Sequence, residues 1–208
     1  VLERYKQLYS TIEGARGALQ HTDFDEDLDE TVLATALIER LVSIPPGQEA
    51  ANEFHSYMVG ALEFIFWPNL IYPIKETPIH EGRKRIDVTY TNAANSGFFH
   101  RTHSAHEIAS NMVMVECKNY SKDPANPELD QLSGRFSINR GKLGLLVYRT
   151  VSDYERLLMR CRDTAADGRG FILPLGEEQV TEFLALIASR ERSSIDGRLQ
   201  DLLQVLIT

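Results

Sequence analysis

The sequence predicts an α/β fold: a mixed central β-sheet of four or five strands, flanked by helices and preceded by a helical extension. Three observations carry this. Residues 84–91 alternate with the two-residue period of a strand, and 112–118 read as a second strand with Glu116 and Lys118 on one face. Between and around such runs lie segments with apolar residues at helical spacing. And Pro45-Pro46-Gly47 breaks the chain between a helical, acidic first part and the rest.

The elements follow in order. Leu2, Tyr5, Leu8, Tyr9, Ile12 and Ala15 give residues 1–19 a helical stripe. The acidic run from Asp23 to Glu30 suits the N-terminal end of a second helix over 28–42, because acids complement the helix dipole there. After the Pro-Pro-Gly break, 47–66 reads as a helix and 70–74 as a strand. In the strand over 84–91, Ile86, Val88 and Tyr90 share one face and Arg85, Asp87 and Thr89 the other. Residues 92–111 read as a long connection. In the strand over 112–118, Met112, Met114, Glu116 and Lys118 share a face, and Val113, Val115 and Cys117 the opposite one. A helix around 130–135 precedes a wholly buried strand at 143–149. A helix at 153–161, a short strand at 171–174 and helices at 177–189 and 195–207 complete the chain. The division expected is an acidic helical extension, 1–46, and a principal domain, 47–208.

Composition sets limits. With 208 residues, 43% hydrophobic and 25% charged, the chain can bury a sizeable core as a soluble globular protein. The apolar run Phe64-Ile65-Phe66-Trp67 stops at Pro68, so no membrane partner is expected. No secretory signal is visible, and Cys117 and Cys161 lack metal-site spacing, so a reducing, cytoplasmic location is expected. Phosphate-loop, G-x-S-x-G and Rossmann glycine signatures are absent, and His106-Glu107 is not completed to H-E-x-x-H because Ser110 stands last.

The chemistry concentrates in Arg85-Ile86-Asp87-Val88 and Val115-Glu116-Cys117-Lys118-Asn119. Glu116 and Lys118 project to the same side of one strand, beside two methionines. Charges on such a face need partners or a ligand. Asp87 and Glu116 on neighbouring strands can offer oxygens to Mg²⁺ or Mn²⁺, with the carbonyl of Cys117 as a third. A cation there would polarise a phosphodiester, and Lys118 would orient water or stabilise charge developing on phosphorus. Two acids against one lysine leave the site net negative, which suits cation capture. The competing readings are an ion pair between Glu116 and Lys118 on a wet sheet face, and an Asp87 paired with a nearby arginine.

The pattern D…E-x-K on adjacent strands resembles the PD-(D/E)XK nuclease superfamily, and its surroundings resemble the Mrr-like and restriction-endonuclease branches over residues 47–175. The resemblance implies a restriction-endonuclease-like fold and a metal-dependent DNA endonuclease leaving 5′-phosphate and 3′-hydroxyl ends, with restriction or phage defence as its setting. It implies that Glu53, on the helix before the first strands, completes the metal shell directly or through water, with Glu49 a competitor on the same helix. Asp130-Gln131-Leu132-Ser133-Gly134-Arg135 resembles the Q-x-x-x-(K/R) helix, which places Gln131 and Arg135 near the active site. The residue before Asp87 is Ile86 where the motif's name carries proline. A catalytically silent nuclease-fold module, serving DNA binding or protein interaction in a larger assembly, is the alternative.

Net charge is −8, yet its distribution favours a DNA partner. Residues 1–50 hold four basic and ten acidic groups, net −6, whereas 75–150 hold eleven basic and eight acidic, net +3. Arg83, Lys84, Arg85, Lys122, Arg135 and Arg140 are the leading phosphate-contact candidates, followed by Arg101, Lys142 and Arg149. His100, His103 and His106 recur every three residues, a spacing that on a helix could hold zinc, although a substrate- or partner-contacting loop is the commoner use of such a segment. Cutting both strands calls for two active sites, so a homodimer, or a domain of a larger defence protein, is expected.

Overall fold

The computed structural model describes residues 29–79, 84–119 and 123–208. The expected helix over 1–19 and the candidates Arg83 and Lys122 lie outside them. The architecture is α/β. One five-stranded mixed sheet runs in the order β1-β2-β3-β4-β5. Its strands are β1 (Leu70–Ile79), β2 (Lys84–Asn92), β3 (Met112–Lys118), β4 (Leu143–Tyr148) and β5 (Phe171–Gly176). The helices, in chain order, are α1 (Glu30–Ser43), α2 (Ala51–Phe66), α3 (Gly97–Ser104), α4 (Asn126–Ser133), α5 (Tyr154–Ala166), α6 (Glu177–Ala188) and α7 (Ser194–Ile207).

β1, β2 and β3 pair antiparallel, while β3, β4 and β5 pair in parallel with Lys118, Tyr148 and Gly176 in register at their last rungs. The three parallel strands therefore end along one edge, and β2 starts there. That edge is where side chains from different strands can converge at a shared opening. β4 is buried at every position, as an apolar run without alternation demands of a central parallel strand.

The two faces are covered by different helices. Tyr90 donates its hydroxyl to the Val59 carbonyl at 2.8 Å, which places α2 over the face carrying Val88, Tyr90, Val113 and Val115. Gly144 pairs with Met114 on the opposite face, and a Cβ there would meet the Phe136 ring at 2.8 Å and then Leu132. Glycine at 144 thus lets α4 and its following turn lie close on the sheet beside Glu116.

Asp29 caps α1, its carboxylate accepting the Thr31 N–H at 2.9 Å. α1 packs on α6, and Leu41 and Ile44 are fully buried. Two ties fasten this segment to the sheet. Arg149, just past β4, donates to the carbonyls of Leu41 at 3.3 Å and Ile44 at 2.9 Å. Asn119, just past β3, donates to the carbonyls of Pro45 at 3.2 Å and Gly47 at 2.9 Å, and its own carbonyl accepts the Gly47 N–H at 2.7 Å. The Pro-Pro-Gly break is thereby locked to the residue following Lys118, which fixes where α2 begins.

One expectation is corrected here. The connection over 92–111 contains α3, whose Phe98 and Phe99 are buried. Gly97 starts it at φ +73°, and the Asp196 carboxylate occupies the space a Cβ would fill. His100 and His103 are exposed, and His106 lies beyond the helix with Nε2 3.2 Å from Gln200 Nε2.

Candidate active site at the carboxyl end of the third strand

Asp87 sits where β2 leaves β3. The ladder runs from Thr91↔Met112 to Val88↔Val115. One residue further, Asp87 Oδ2 accepts the Cys117 N–H at 2.9 Å, so a carboxylate takes over from a backbone carbonyl. Asp87 and Glu116 fall on the same face because they are the next pair of opposing positions.

Glu116 has no solvent exposure. Its Oε1 accepts from Lys118 Nζ at 2.7 Å and from Gln131 Nε2 at 2.6 Å, and its Oε2 is held by Arg135 Nη1. Burial raises its pKa above the ordinary glutamate value, the Asp87 charge raises it further, and Lys118 and Arg135 offset only part of that. The wet-face ion pair is excluded by this burial. Cys117 keeps its thiol on the valine face, and burial followed by the Asp87 and Glu116 charges pushes its pKa well up. Its sulfur is neither thiolate nor soft ligand, so any part in cation binding falls to its carbonyl.

These groups border a cavity of ≈ 800 Å³ lined by Asp87, Cys117, Lys118 and Asn119, by Gln48, Ala51, Asn52 and His55 from around the start of α2, and by Asp123, Ala125, Pro127 and Glu128 around the start of α4. The first turns of α2 and α4 border the opening; Ala50 gives α2 no side-chain cap, whereas the Glu128 carboxylate accepts the Ala125 N–H at 2.8 Å and closes the start of α4. The α2 N-terminus and Lys118 are the positive groups of this lining, set against the carboxylates of Asp87, Asp123 and Glu128. His55 Nε2 lies 3.2 Å from the Asp87 carbonyl. Asp123 is committed elsewhere: its carboxylate accepts from Ser152 N at 2.7 Å and Oγ at 2.6 Å, which holds its pKa low.

Asp87, Glu116, Lys118 and Gln131 are thus brought together, and four expectations are corrected. Glu53 turns away and pairs with Arg40. On a helix it lies about 100° round from Asn52, and Asn52 and His55, three apart, face the cavity instead. Arg135 is 4% exposed and spent on Glu116, so it is no surface contact for DNA. Its charge also makes the quartet Asp87, Glu116, Lys118 and Arg135 formally neutral rather than negative. Arg140 donates to the Arg135 carbonyl at 2.9 Å and 3.3 Å, at the amino end of β3 where its own carbonyl accepts the Met112 N–H.

Among the remaining cations, Lys142 reaches the Gly168 carbonyl before β4 and Arg101 contacts Gln200, both away from the cavity, while Arg149 is buried. Lys84 and Arg85 occupy backbone positions opposite Ile79 and Pro78. The helix expected at 153–161 is α5, and its arginines were not among the expected site residues: a smaller cavity of ≈ 370 Å³, lined by Asn126, Arg156, Met159, Arg160, Arg162 and Asp163, lies across the opening turn of α4 from the first.

Among the described residues no group of three or more His, Cys, Asp or Glu side chains is placed to hold a metal. Two carboxylates remain, and their donor type fits a hard cation that keeps most of its waters. Among the described residues no helix is long and apolar enough to cross a membrane.

No family model matches the chain, and no solved structure matches it. The chain is 30% identical over 113 residues to the transposon gamma-delta 80.3 kDa protein of Escherichia coli (strain K12), a match covering 54% of this chain. It spans 16% of that protein's length.

Proposed function

We propose that the protein is a metal-dependent DNA endonuclease of the PD-(D/E)XK type. The observation that supports this best is the meeting of Asp87, Glu116 and Lys118 at one sheet edge, with Asp87 and Lys118 lining a cavity bordered by the N-terminus of α2 and Glu116 buried behind Lys118. Asp87 and Glu116 would hold Mg²⁺ or Mn²⁺, with the Cys117 carbonyl beside them. When bound, the cation supplies charge stabilisation to the phosphate and makes water more acidic. Lys118 stands between Glu116 and the cavity, where its ammonium can orient the attacking water or meet charge on the phosphate. Gln131 fixes the Glu116 carboxylate, and His55 steadies the strand end that carries Asp87.

The substrate strand would run from this cavity toward Arg156 and Arg160 on α5, which replace Arg135 and Arg140 as phosphate contacts in our reading. Restriction or phage defence, in the cytoplasm and with two copies acting on the two strands, is the setting we favour. The test is cleavage of plasmid DNA across a Mn²⁺ titration. Asp87→Asn and Lys118→Met are each expected to lower the rate about 10²- to 10³-fold with little change in melting temperature. Full activity in either variant overturns the assignment.

A silent nuclease-fold module is favoured by one observation, the neutral quartet in which Arg135 balances the second acid. Absence of divalent-cation binding, even with DNA present, would decide for it.

A further inference from the structure

Glu116 offers its oxygens to three donors at once, and one of them is a second cation. Oε1 takes Lys118 Nζ and Gln131 Nε2, and Oε2 takes Arg135 Nη1. Arg135 is not free to leave. Its N–H donates to the Leu132 carbonyl at 3.0 Å, its carbonyl accepts twice from Arg140, and its side chain is 5% exposed. Its Nε is buried with no hydrogen-bond partner, so Glu116 is the anion that compensates it. A guanidinium withdrawn from that carboxylate would be a buried, unpaired charge. A divalent cation added to the neutral quartet would instead leave a net +2 beside a residue without solvent exposure. Either route is unfavourable unless an anion arrives with the cation. The adjoining cavity supplies that place at Lys118 and the first turn of α2, whose start has no side-chain cap, while Glu128 closes the start of α4.

We propose that Arg135 is a resident counter-ion to Glu116, and that it makes divalent-cation binding conditional on a phosphodiester in the adjoining cavity. This rests on the nuclease reading and adds its regulation. Cation and DNA bind cooperatively, and the protein alone keeps its site closed to free Mg²⁺ or Mn²⁺. Arg135 is a positioning residue here, acting through Glu116.

The experiment titrates Ca²⁺ into the full chain by calorimetry, alone and saturated with a short mixed-sequence duplex, with a gel confirming that the duplex stays whole. For the unaltered protein the duplex is expected to tighten Ca²⁺ binding about tenfold or more. Arg135→Gln is expected to bind Ca²⁺ without DNA about tenfold more tightly than the unaltered protein, and to lose most of the effect of the duplex. Arg135→Lys, which keeps the charge, is expected to retain that effect. Arg140→Ala, which frees the Arg135 carbonyl while leaving Glu116 untouched, is expected to shift affinity in the same direction as Arg135→Gln and by less. It decides the matter if Arg135→Gln does not fold. Ca²⁺ binding equally tight with and without duplex overturns the counter-ion role and leaves the nuclease reading standing. No binding in either condition overturns both.

Discussion

Two cavities of similar size open along the same edge of the sheet, and they use their buried arginines in opposite ways. The one at the end of β3 is ≈ 800 Å³; the one at the ends of β4 and β5 is ≈ 860 Å³, lined by Tyr148, Arg149, Tyr154, Glu177, Glu178 and Glu182 among others. Behind the wall of the first, Arg135 is turned onto the buried Glu116 carboxylate, and Lys118 and the α2 N-terminus border the opening with Asp87, Asp123 and Glu128. In the second, Arg149 is turned inward onto the last carbonyls of α1, with Nε 3.1 Å from Glu177 and its guanidinium 5.4 Å from the Phe54 ring centre. Glu182 is paired with Arg198 at 2.7 Å. Three acids and one base line each cavity; in the second the base is the inward-turned Arg149, whereas in the first it is Lys118, whose ammonium borders the opening. Size and place on the sheet do not distinguish the two cavities. The partners of their charged groups do.

The sharpest break of this comparison is in cleavage. Glu178→Gln, on the exposed wall of the second cavity, is expected to leave the rate unchanged where Lys118→Met removes nearly all of it. A plasmid-nicking assay on both proteins checks this, and a large loss in Glu178→Gln would mean the wrong cavity was chosen. Stability comes next. Arg149→Met strips partners from two helix-end carbonyls and from Glu177, and is expected to cost about 2–4 kcal/mol in urea unfolding. Its cleavage rate at low temperature, where the fold persists, should stay near that of the unaltered protein.

Acidity separates the regions further. Glu116 has a folded-state pKa above its unfolded value of 4.5. The folded form therefore holds its proton more tightly. Its contribution to stability is complete below pH 4.5 and is lost as pH rises through the raised folded value. Asp87 is the second cause of the rise, after burial. Asp87→Asn should thus bring the Glu116 value down and flatten the fall of melting temperature with pH above 4.5. A slope identical in the two proteins would show that Asp87 does not act on Glu116.

How far this was legible in the sequence depends on the range of the contact. The apolar run 112–115 followed by Glu116-Cys117-Lys118 reads as β3 with the bounds seen in the fold, and the two-residue period of a strand puts Glu116 and Lys118 on a shared side. The Asp87 position follows from the same period across one antiparallel pairing. Glu53 failed because a helix advances about 100° per residue, and no local pattern told whether position 52 or 53 would face the sheet edge. Arg135 was placed near the site, but its burial depends on Gly144, a residue of another strand, letting α4 approach. α3 was missed because it is eight residues long and is held by Asp196 of α7 and by buried Phe98 and Phe99 rather than by a side-chain cap.

The smallest expected effect concerns the arginines on α5. Arg156 is mostly exposed, 3.8 Å from Asp153, and Arg160 donates to the Pro124 carbonyl at 3.1 Å, beside the opening turn of α4 that lies between the Lys118 cavity and the ≈ 370 Å³ cavity on α5. Such groups would contact phosphates without reading bases, so their loss should weaken binding uniformly across sequences. Each phosphate contact releases condensed counterions, and log affinity falls with log salt by about 0.9 per contact on duplex DNA. Arg156→Ala should lower that slope by about one contact and reduce affinity a few-fold at moderate salt. Arg198→Ala, beside the Arg149 cavity, should change neither. If the two variants bind alike at every salt concentration, α5 carries no phosphate contact, and the proposed path shifts to the α2 side of the Lys118 cavity, past Gln48, Asn52 and His55.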